Sequence, residues 1–323
     1  MNQNERQNAA AFNADGVVVI DKPAGWTSHD VVAKVRKILQ TRRVGHTGTL
    51  DPFATGVLVI CLNRATRLVQ FLTGDDKEYA ATMRLGFATD TGDLTGKPLS
   101  SAIGATDARN ISREQVREVL AGFHGRIQQI PPMYSAKKIG GVRLHKLARR
   151  GEEIERQPIE IEIKEIELLD LPGLTSFADV ETITQDFSFR VVCSSGTYIR
   201  TLAEDVGKKL GIGAHLIALR RTRAGDCRLA QAVTLERLTE LAEADRTDEI
   251  LISMTDAVGL PEIELDDEER KAVTHGRSIR RNGSWQHGAQ AKLCDSNQRL
   301  VAIAGYDIGL SVWHPHVVLA DAG

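Results

Sequence analysis

Apolar residues recur along this chain at two periods, and each marks an element. Val17, Val18, Val19 and Ile20 form a short continuous apolar run that predicts a strand over Gly16–Asp21, closed by the turn sequence Lys22-Pro23-Ala24-Gly25. Ser28 is placed to cap a helix whose apolar positions Val31, Val32, Val35, Ile38 and Leu39 make one stripe, with Lys34, Arg36 and Lys37 opposite. Val57–Leu62 is a second apolar run and reads as a buried strand, followed by a short helix over Ala65–Leu72. From Glu78 to Leu85 the period is two, with Tyr79, Ala81, Met83 and Leu85 on one face. A turn is predicted at residues 90–96, and Ser112 with Gln115 has the spacing of a capping box for a helix ending near Gly122.

Two prolines keep Ile127–Pro132 extended. Ile159, Ile161 and Ile163 alternate with glutamates until the phase slips near Lys164 and Glu165, which predicts a bulge or strand break. Residues 170–186 read as a surface connection, Phe187 to Cys193 as a returning strand, and Thr197–Leu210 as a helix terminated by Gly211. Leu235, Leu238 and Leu241 mark a further amphipathic helix. Strands and helices mixed without a regular βαβ repeat predict an α+β fold around a largely antiparallel mixed sheet. Three regions follow: a disordered tail over 1–14, a large α+β unit over 15–250 and a small β-rich unit over 251–323.

Charge changes the picture of the surface. The net charge of −2 is no nucleic-acid footprint, but residues 1–230 carry 32 Lys/Arg against 27 Asp/Glu, whereas the rest carries 9 against 16. Basic residues cluster at Arg42–Arg43, Lys137–Lys138, His145–Arg150 and Arg220, Arg221 and Arg223, and would track phosphates if they converge. Cys61, Cys193, Cys227 and Cys294 are too scattered for a zinc site or disulfide framework, and buried reduced thiols are expected. No run of 18 apolar residues is present, so no membrane span is expected and the cytoplasm is the default.

The chain's chemistry centres on Val44–Leu62, VGHTGTLDPFATGVLVICL, where Gly45, Gly48 and Gly56 surround Asp51 and Pro52 follows it. Pro52 biases Asp51 away from helical backbone, and the apolar run behind anchors the loop, so the carboxylate is presented at a fixed corner. A tight turn in which the aspartate caps its own backbone would look similar.

GHTGTLDPFATGVL resembles the motif of the tRNA pseudouridine synthase B (TruB) family. Four further segments match in order: VVVIDKPAGWTSHDVV, KEYAATMRLGFATDTGD, QIPPMYSAKKIGG and CSSGTYIRTLAEDVGKKLGIGAHLIALRRT. The resemblance implies the pseudouridine synthase fold with a PUA-like C-terminal domain, and isomerisation of uridine 55 in the tRNA T loop. It implies no metal and no other cofactor, the tRNA T arm as partner, no protein partner and a monomer.

By the same resemblance Asp51 is the catalytic carboxylate, Arg200 its ion-pair partner and Tyr79 the aromatic that stacks on the flipped base. His46 fills the stacking space the base vacates, Tyr198 and Leu219 are pocket walls, Lys22 supports the pocket, and Arg67 and Lys138 contact phosphates. Outside that context Tyr79 and Leu219 would pass as core, His46 as a structural hydrogen-bonder and Arg200 as a surface residue. The rivals are a tRNA-folding chaperone without turnover and a synthase acting on another RNA, including a guide-RNA-directed one, whose terminal extensions are not found. A glycoside hydrolase would need two opposed carboxylates, and only Asp51 stands in a motif.

Overall fold

A computed structural model describes residues 12–99, 108–135, 137–139, 142–148, 150–152, 154–169, 184–281 and 283–320. Strand β1 (Gly16–Lys22) leads into helix α1 (Ser28–Ile38), strand β2 (Val44–His46) and strand β3 (Thr55–Leu62). Thr27, not Ser28, caps α1: its hydroxyl accepts from Asp30 N, and Asp30 returns the bond in a capping box. Ser28 is diverted inward, where its hydroxyl exchanges hydrogen bonds with the backbone N and O of Leu50 and ties α1 to the Asp51 loop. The helix expected over 65–72 is a 3-10 segment, Asn63–Leu68, followed by one α-turn, α2 (Val69–Leu72).

Next come β4 (Lys77–Leu85), α3 (Arg113–Ala121) with the expected Ser112–Gln115 capping box, and β5 (Gly125–Gln129). A small hairpin, β6 (Lys138–Ile139) with β7 (Val142–Arg143), precedes α4 (Leu144–Ala148). Strand β8 (Ile159–Leu168) pairs with β9 (Gln185–Cys193) with a register shift between Ile163 and Glu165, where the sequence loses its phase. The connection between these strands ends by Gln185, and its residues 170–183 lie outside the described residues. Helix α5 (Ile199–Lys209) ends at Gly211, whose φ of +74° is the left-handed stop that glycine tolerates.

Strand β10 (Ala214–Ala224) is followed by the two-residue β11 (Cys227–Arg228) and α6 (Leu235–Glu243). The C-terminal part holds β12 (Glu262–Glu264), α7 (Asp267–Thr274), β13 (Gln290–Cys294), β14 (Leu300–Asp307) and β15 (Val312–Val318). It is thus β-rich as expected, with one helix the pattern does not announce.

Nine strands form the main sheet among the described residues, in the order β1-β3-β10-β4-β9-β8-β5 with β2 beside β3 and β11 beside β10. Every pair is antiparallel except β3–β10, which meet in parallel through Arg220–Thr55 and Arg221–Gly56 only. Helices α3 and α5 cover one face of the sheet, α3 over β8 and α5 over β10 and β4, so that Tyr79, Ala81 and Met83 share a core with Leu202 and Val206. At the other end β1 and β3 are covered on both faces. Val18, Ile20, Leu58 and Ile60 face α1 and α6, while Val17, Val19, Val57 and Val59 face Ile303 and Val317 of the C-terminal sheet. Burial on both sides explains why these two strands are unbroken apolar runs, whereas β4 alternates.

Residues 12–14 of the expected tail are fastened: Phe12 N donates to Leu39 O, and Asn63 Nδ2 donates to Phe12 O and Ala14 O. Residues 1–11 lie outside the described residues. All four cysteines are buried and free, and burial pushes the Cys61 thiol up to about 12. No helix among the described residues is long and apolar enough to cross a membrane.

Candidate active site

Asp51 sits in the loop between β2 and β3, on the wall of a cleft of about 440 Å³. Gly56, at φ +99°, lets the loop close on the main sheet, because a Cβ there would lie 2.2 Å from Arg221 O. The Asp51 side chain is one-third exposed and faces Arg200 on the first turn of α5. Arg200 Nε donates to Asp51 Oδ2 at 2.8 Å and Nη2 to Oδ1 at 3.2 Å, a bidentate pair that fixes the plane of the carboxylate.

The guanidinium itself is held from behind. Nη1 donates to Thr91 O at 2.6 Å and Nη2 to Tyr134 O at 2.7 Å, so the DTGD turn and the PPMYS segment both grip it. Asp93, buried, lies 3.9 Å from Arg200 Nε, and its Oδ1 accepts from Thr91 Oγ1, Thr95 N and Thr95 Oγ1. Burial is the largest influence on the Asp51 carboxyl and lifts it above the ordinary carboxylate range. Arg200 opposes the lift and Asp93 adds to it. Ion pairing with Arg200, which favours the charged form, is therefore present but outweighed.

The cleft floor comes from adjacent strands. Tyr79 on β4 pairs across the sheet with Arg221 on β10, and Ala81 pairs with Leu219, so Tyr79, Leu219 and Arg221 share one wall. Arg221, read from sequence as part of a phosphate-tracking cluster, is 2% exposed and donates to Val57 O at 2.7 Å and Gly48 O at 3.0 Å. It also hydrogen-bonds the Tyr79 hydroxyl; burial nonetheless raises the Tyr79 pKa. Lys77, two residues before Tyr79 and so on the same strand face, is buried beside it with Nζ donating to Thr73 O and Asp75 O. Arg220, the neighbour of Arg221, instead pairs with Asp21 at 2.7 Å.

Lys22 is fully buried behind the loop. Its ammonium donates to Pro23 O, Trp26 O and Pro52 O at 2.8, 2.7 and 3.3 Å, and burial lowers its pKa to about 8 against the pull of Asp51. Tyr198 is the residue before α5, and its side chain does not cap the helix. The buried Gln129 amide takes over: Oε1 accepts from Tyr198 N at 2.8 Å and Nε2 donates to Tyr198 O at 3.0 Å. Ser135 hydrogen-bonds the Tyr198 phenol, whose pKa burial raises.

His46 lies on β2 with its ring 5.5 Å from that of His29, edge to face. Burial, reinforced by His29, lowers its pKa to about 4, so the imidazole is neutral at physiological pH. It is set beside the cleft rather than among the residues that line it.

The structure therefore brings Asp51, Arg200, Tyr79, Tyr198 and Leu219 to one cleft and Lys22 directly behind it. It does not bring Arg67 there: that guanidinium lies in the 3-10 segment after β3 and donates to Val318 O on the C-terminal sheet. Lys138 has its backbone in the β6–β7 hairpin, and its side chain lies outside the described residues. Lys77, Gln129 and Asp93 escape sequence reading, and Arg221 is read there as a surface cation instead of a buried support of the cleft. The phase of Arg221 with Leu219, and of Lys77 with Tyr79, is the available signal.

Residues 36–199 match the family model described as TruB family pseudouridylate synthase, N terminal domain, and residues 200–259 match the tRNA pseudouridylate synthase B C-terminal domain. The chain belongs to the TruB family. The tRNA pseudouridine synthase B of Geobacter sulfurreducens is 48% identical over 247 residues, 76% of each chain. That of Bacillus pumilus is 42% identical over 303 residues, 93% of this chain and 94% of the relative. Among solved structures, a chain of a Cbf5-Nop10-Gar1 complex is similar with a TM-score of 0.72 and 28% identity, covering 95% of this chain and 85% of its own. A chain of an H/ACA RNP bound to a substrate RNA containing 2'-deoxyuridine gives 0.71 and 27%, covering 95% and 86%. The α+β TruB architecture is thus shared along nearly the whole chain.

Proposed function

We propose that the protein converts uridine 55 in the T loop of tRNA to pseudouridine, with Asp51 as the catalytic carboxylate. The observation that carries the reading is the bidentate Arg200–Asp51 pair on the wall of a cleft floored by Tyr79. The reaction breaks the bond between the ribose anomeric carbon and uracil N1, turns the base and joins the same carbon to C5. The proton on C5 is lost and N1 gains one, so atoms balance without an oxidant, a metal or a second substrate.

The target uridine is stacked inside a folded loop and must be extruded before Asp51 can reach it. Tyr79 offers a ring for the extruded base, Leu219 and Ile199 supply apolar walls, and neutral His46 stands where stacking is vacated. Leu50, Ile199 and Leu219, all buried, give the carboxylate an apolar surround that a base seated in the cleft completes, and the exclusion of water then favours rejoining over hydrolysis. Arg200 keeps Asp51 oriented, and its grip on Thr91 O and Tyr134 O means that the pair cannot swing away together. We assign catalysis to the unit built on the nine-stranded sheet and read the four-stranded sheet as a PUA-like unit. We keep the boundary near residue 250, a reading supported by the backbone hydrogen bonds that Ile252 exchanges with Val17 of the nine-stranded sheet.

The test is incubation of the purified protein, without added cofactor, with an unmodified tRNA transcript, followed by chemical mapping of pseudouridine. One new pseudouridine in the T loop is expected. Asp51→Asn is expected to abolish it while holding tRNA affinity within about 1 kcal/mol. Undiminished turnover by Asp51→Asn would remove the role given to that carboxylate.

A further inference from the structure

The outer face of α1 is the basic feature the catalytic cleft leaves unused. Between residues 33 and 43 the chain carries Lys34, Arg36, Lys37, Arg42 and Arg43 and no acid. Arg36 is engaged by Val44 O, but Lys34 and Lys37 are exposed and in no ion pair among the described residues. They line an open groove with Gly25, Trp26, Asp30 and Ala33. Among the described residues, Trp26 is the aromatic in the set of exposed large apolar side chains, at 37%, whereas Trp313 is fully buried.

Two acids bear on this groove. Asp30 is occupied by Thr27, accepting from its N and its hydroxyl through Oδ2, and Glu236 of α6 feels the charge of Lys34. Neither pairs directly with a lysine there, so the groove retains a positive edge beside an exposed indole.

The groove is also coupled to the catalytic loop. Gly25 N donates to Pro52 O at 2.8 Å, and the Lys22 ammonium holds Trp26 O and Pro52 O together. His29, at the start of α1, touches His46. The groove therefore abuts the loop that carries Asp51.

We propose that Trp26, Lys34 and Lys37 form a second RNA contact. The two ammoniums hold backbone phosphates of nucleotides flanking the flipped uridine, and the indole packs on an unstacked base or ribose of the same strand. The inference rests on the RNA-modifying reading above. Its chemistry is sequence-tolerant: point charges on phosphates position the strand, and an indole face accepts any base.

The experiment measures binding of an unmodified tRNA transcript across a salt series, with single-turnover pseudouridine formation at saturating RNA. For the Lys34→Ala/Lys37→Ala double variant, the plot of log affinity against log salt is expected to become shallower by about 1.4, since each single-strand phosphate that is no longer neutralised removes about 0.7 from the slope. Trp26→Ala is expected to weaken binding roughly fivefold or more with the slope unchanged, and Trp26→Phe to recover most of that affinity. Rates at saturating RNA stay at the wild-type level in all three. Arg117→Ala removes a positive charge from the outer face of α3 and should leave the slope alone.

Slopes and affinities equal to wild type in the groove variants would overturn the proposal, as would an equal flattening by Arg117→Ala. A wild-type protein that makes no pseudouridine, yet shows the groove-dependent slope, would instead sink the proposed reaction and leave the groove standing.

Discussion

Lys22 offers a direct measurement of what this site demands of the fold. Its ammonium is fully buried, bonded to three carbonyls, and its pKa is lowered from 10.5 to about 8. At about 1.36 kcal/mol per unit, the buried charge opposes folding by roughly 3 kcal/mol relative to a solvated lysine. The sign follows from proton counting. Below about pH 8 both folded and unfolded chains hold the proton and the full penalty stands. Between about pH 8 and 10.5 the unfolded chain binds more proton, so stability climbs with pH, and above that range the penalty is gone.

Lys22→Met has no such proton. The difference in unfolding free energy between wild type and Lys22→Met, from urea titrations at matched pH, is therefore expected to rise by roughly 3 kcal/mol between about pH 7 and pH 10.5. Other titrating groups cancel in that difference. Carbon-13 lysine NMR gives the same answer site by site, with one resonance titrating near pH 8 and absent from the variant. Parallel stability curves, or lysine resonances that all titrate near 10.5, would show that the ammonium is not desolvated. The loss of the donor to Pro52 O in Lys22→Met is also expected to lower activity, because Pro52 follows Asp51 directly.

Two further outcomes follow from the same site. Burial lifts Asp51 above the ordinary carboxylate range and the reaction needs its ionised form. The acid limb of kcat/KM should therefore lie above 3.8, activity being lost as pH falls through the raised value; full activity at pH 3.8 would contradict this. Gln129→Leu strips both partners from the Tyr198 backbone and should destabilise the protein by about 2–4 kcal/mol in urea unfolding, while lowering kcat more than it raises KM. Gln129→Glu keeps the acceptor for Tyr198 N and should fall between the two.

What is legible in the sequence depends on whether local rules are left undisturbed. The alternation of β4 announces the face that carries Tyr79, and the slip at Lys164 announces the bulge, because both strands have one covered and one open face. The cap of α1 goes to Thr27 rather than Ser28 because tertiary structure gives Ser28 a better partner in Leu50. Strand β10 has no such announcement. Its sequence, AHLIALRRTRA, reads as a basic cluster, and only the carbonyls of Val57 and Gly48 make it possible to bury Arg221 there. Arg67 goes the other way, its donor taken by Val318 O, 251 positions distant in the chain. Partners this remote in sequence leave no local trace.

The parallel junction of β3 and β10 has a consequence for how the protein comes into being. Asp51 and Tyr79 lie in the first quarter of the chain, yet the strand that seats them spans residues 214–224, and the guanidinium facing Asp51 is at position 200. Contacts between segments about 165 positions apart are slow to close, and parallel pairings slower still. During synthesis the ribosome must therefore release about two-thirds of the polypeptide before a reactive carboxylate can be assembled. Until then β4, which pairs with β10 from Lys77 to Leu85, presents an open edge in need of protection from other nascent chains.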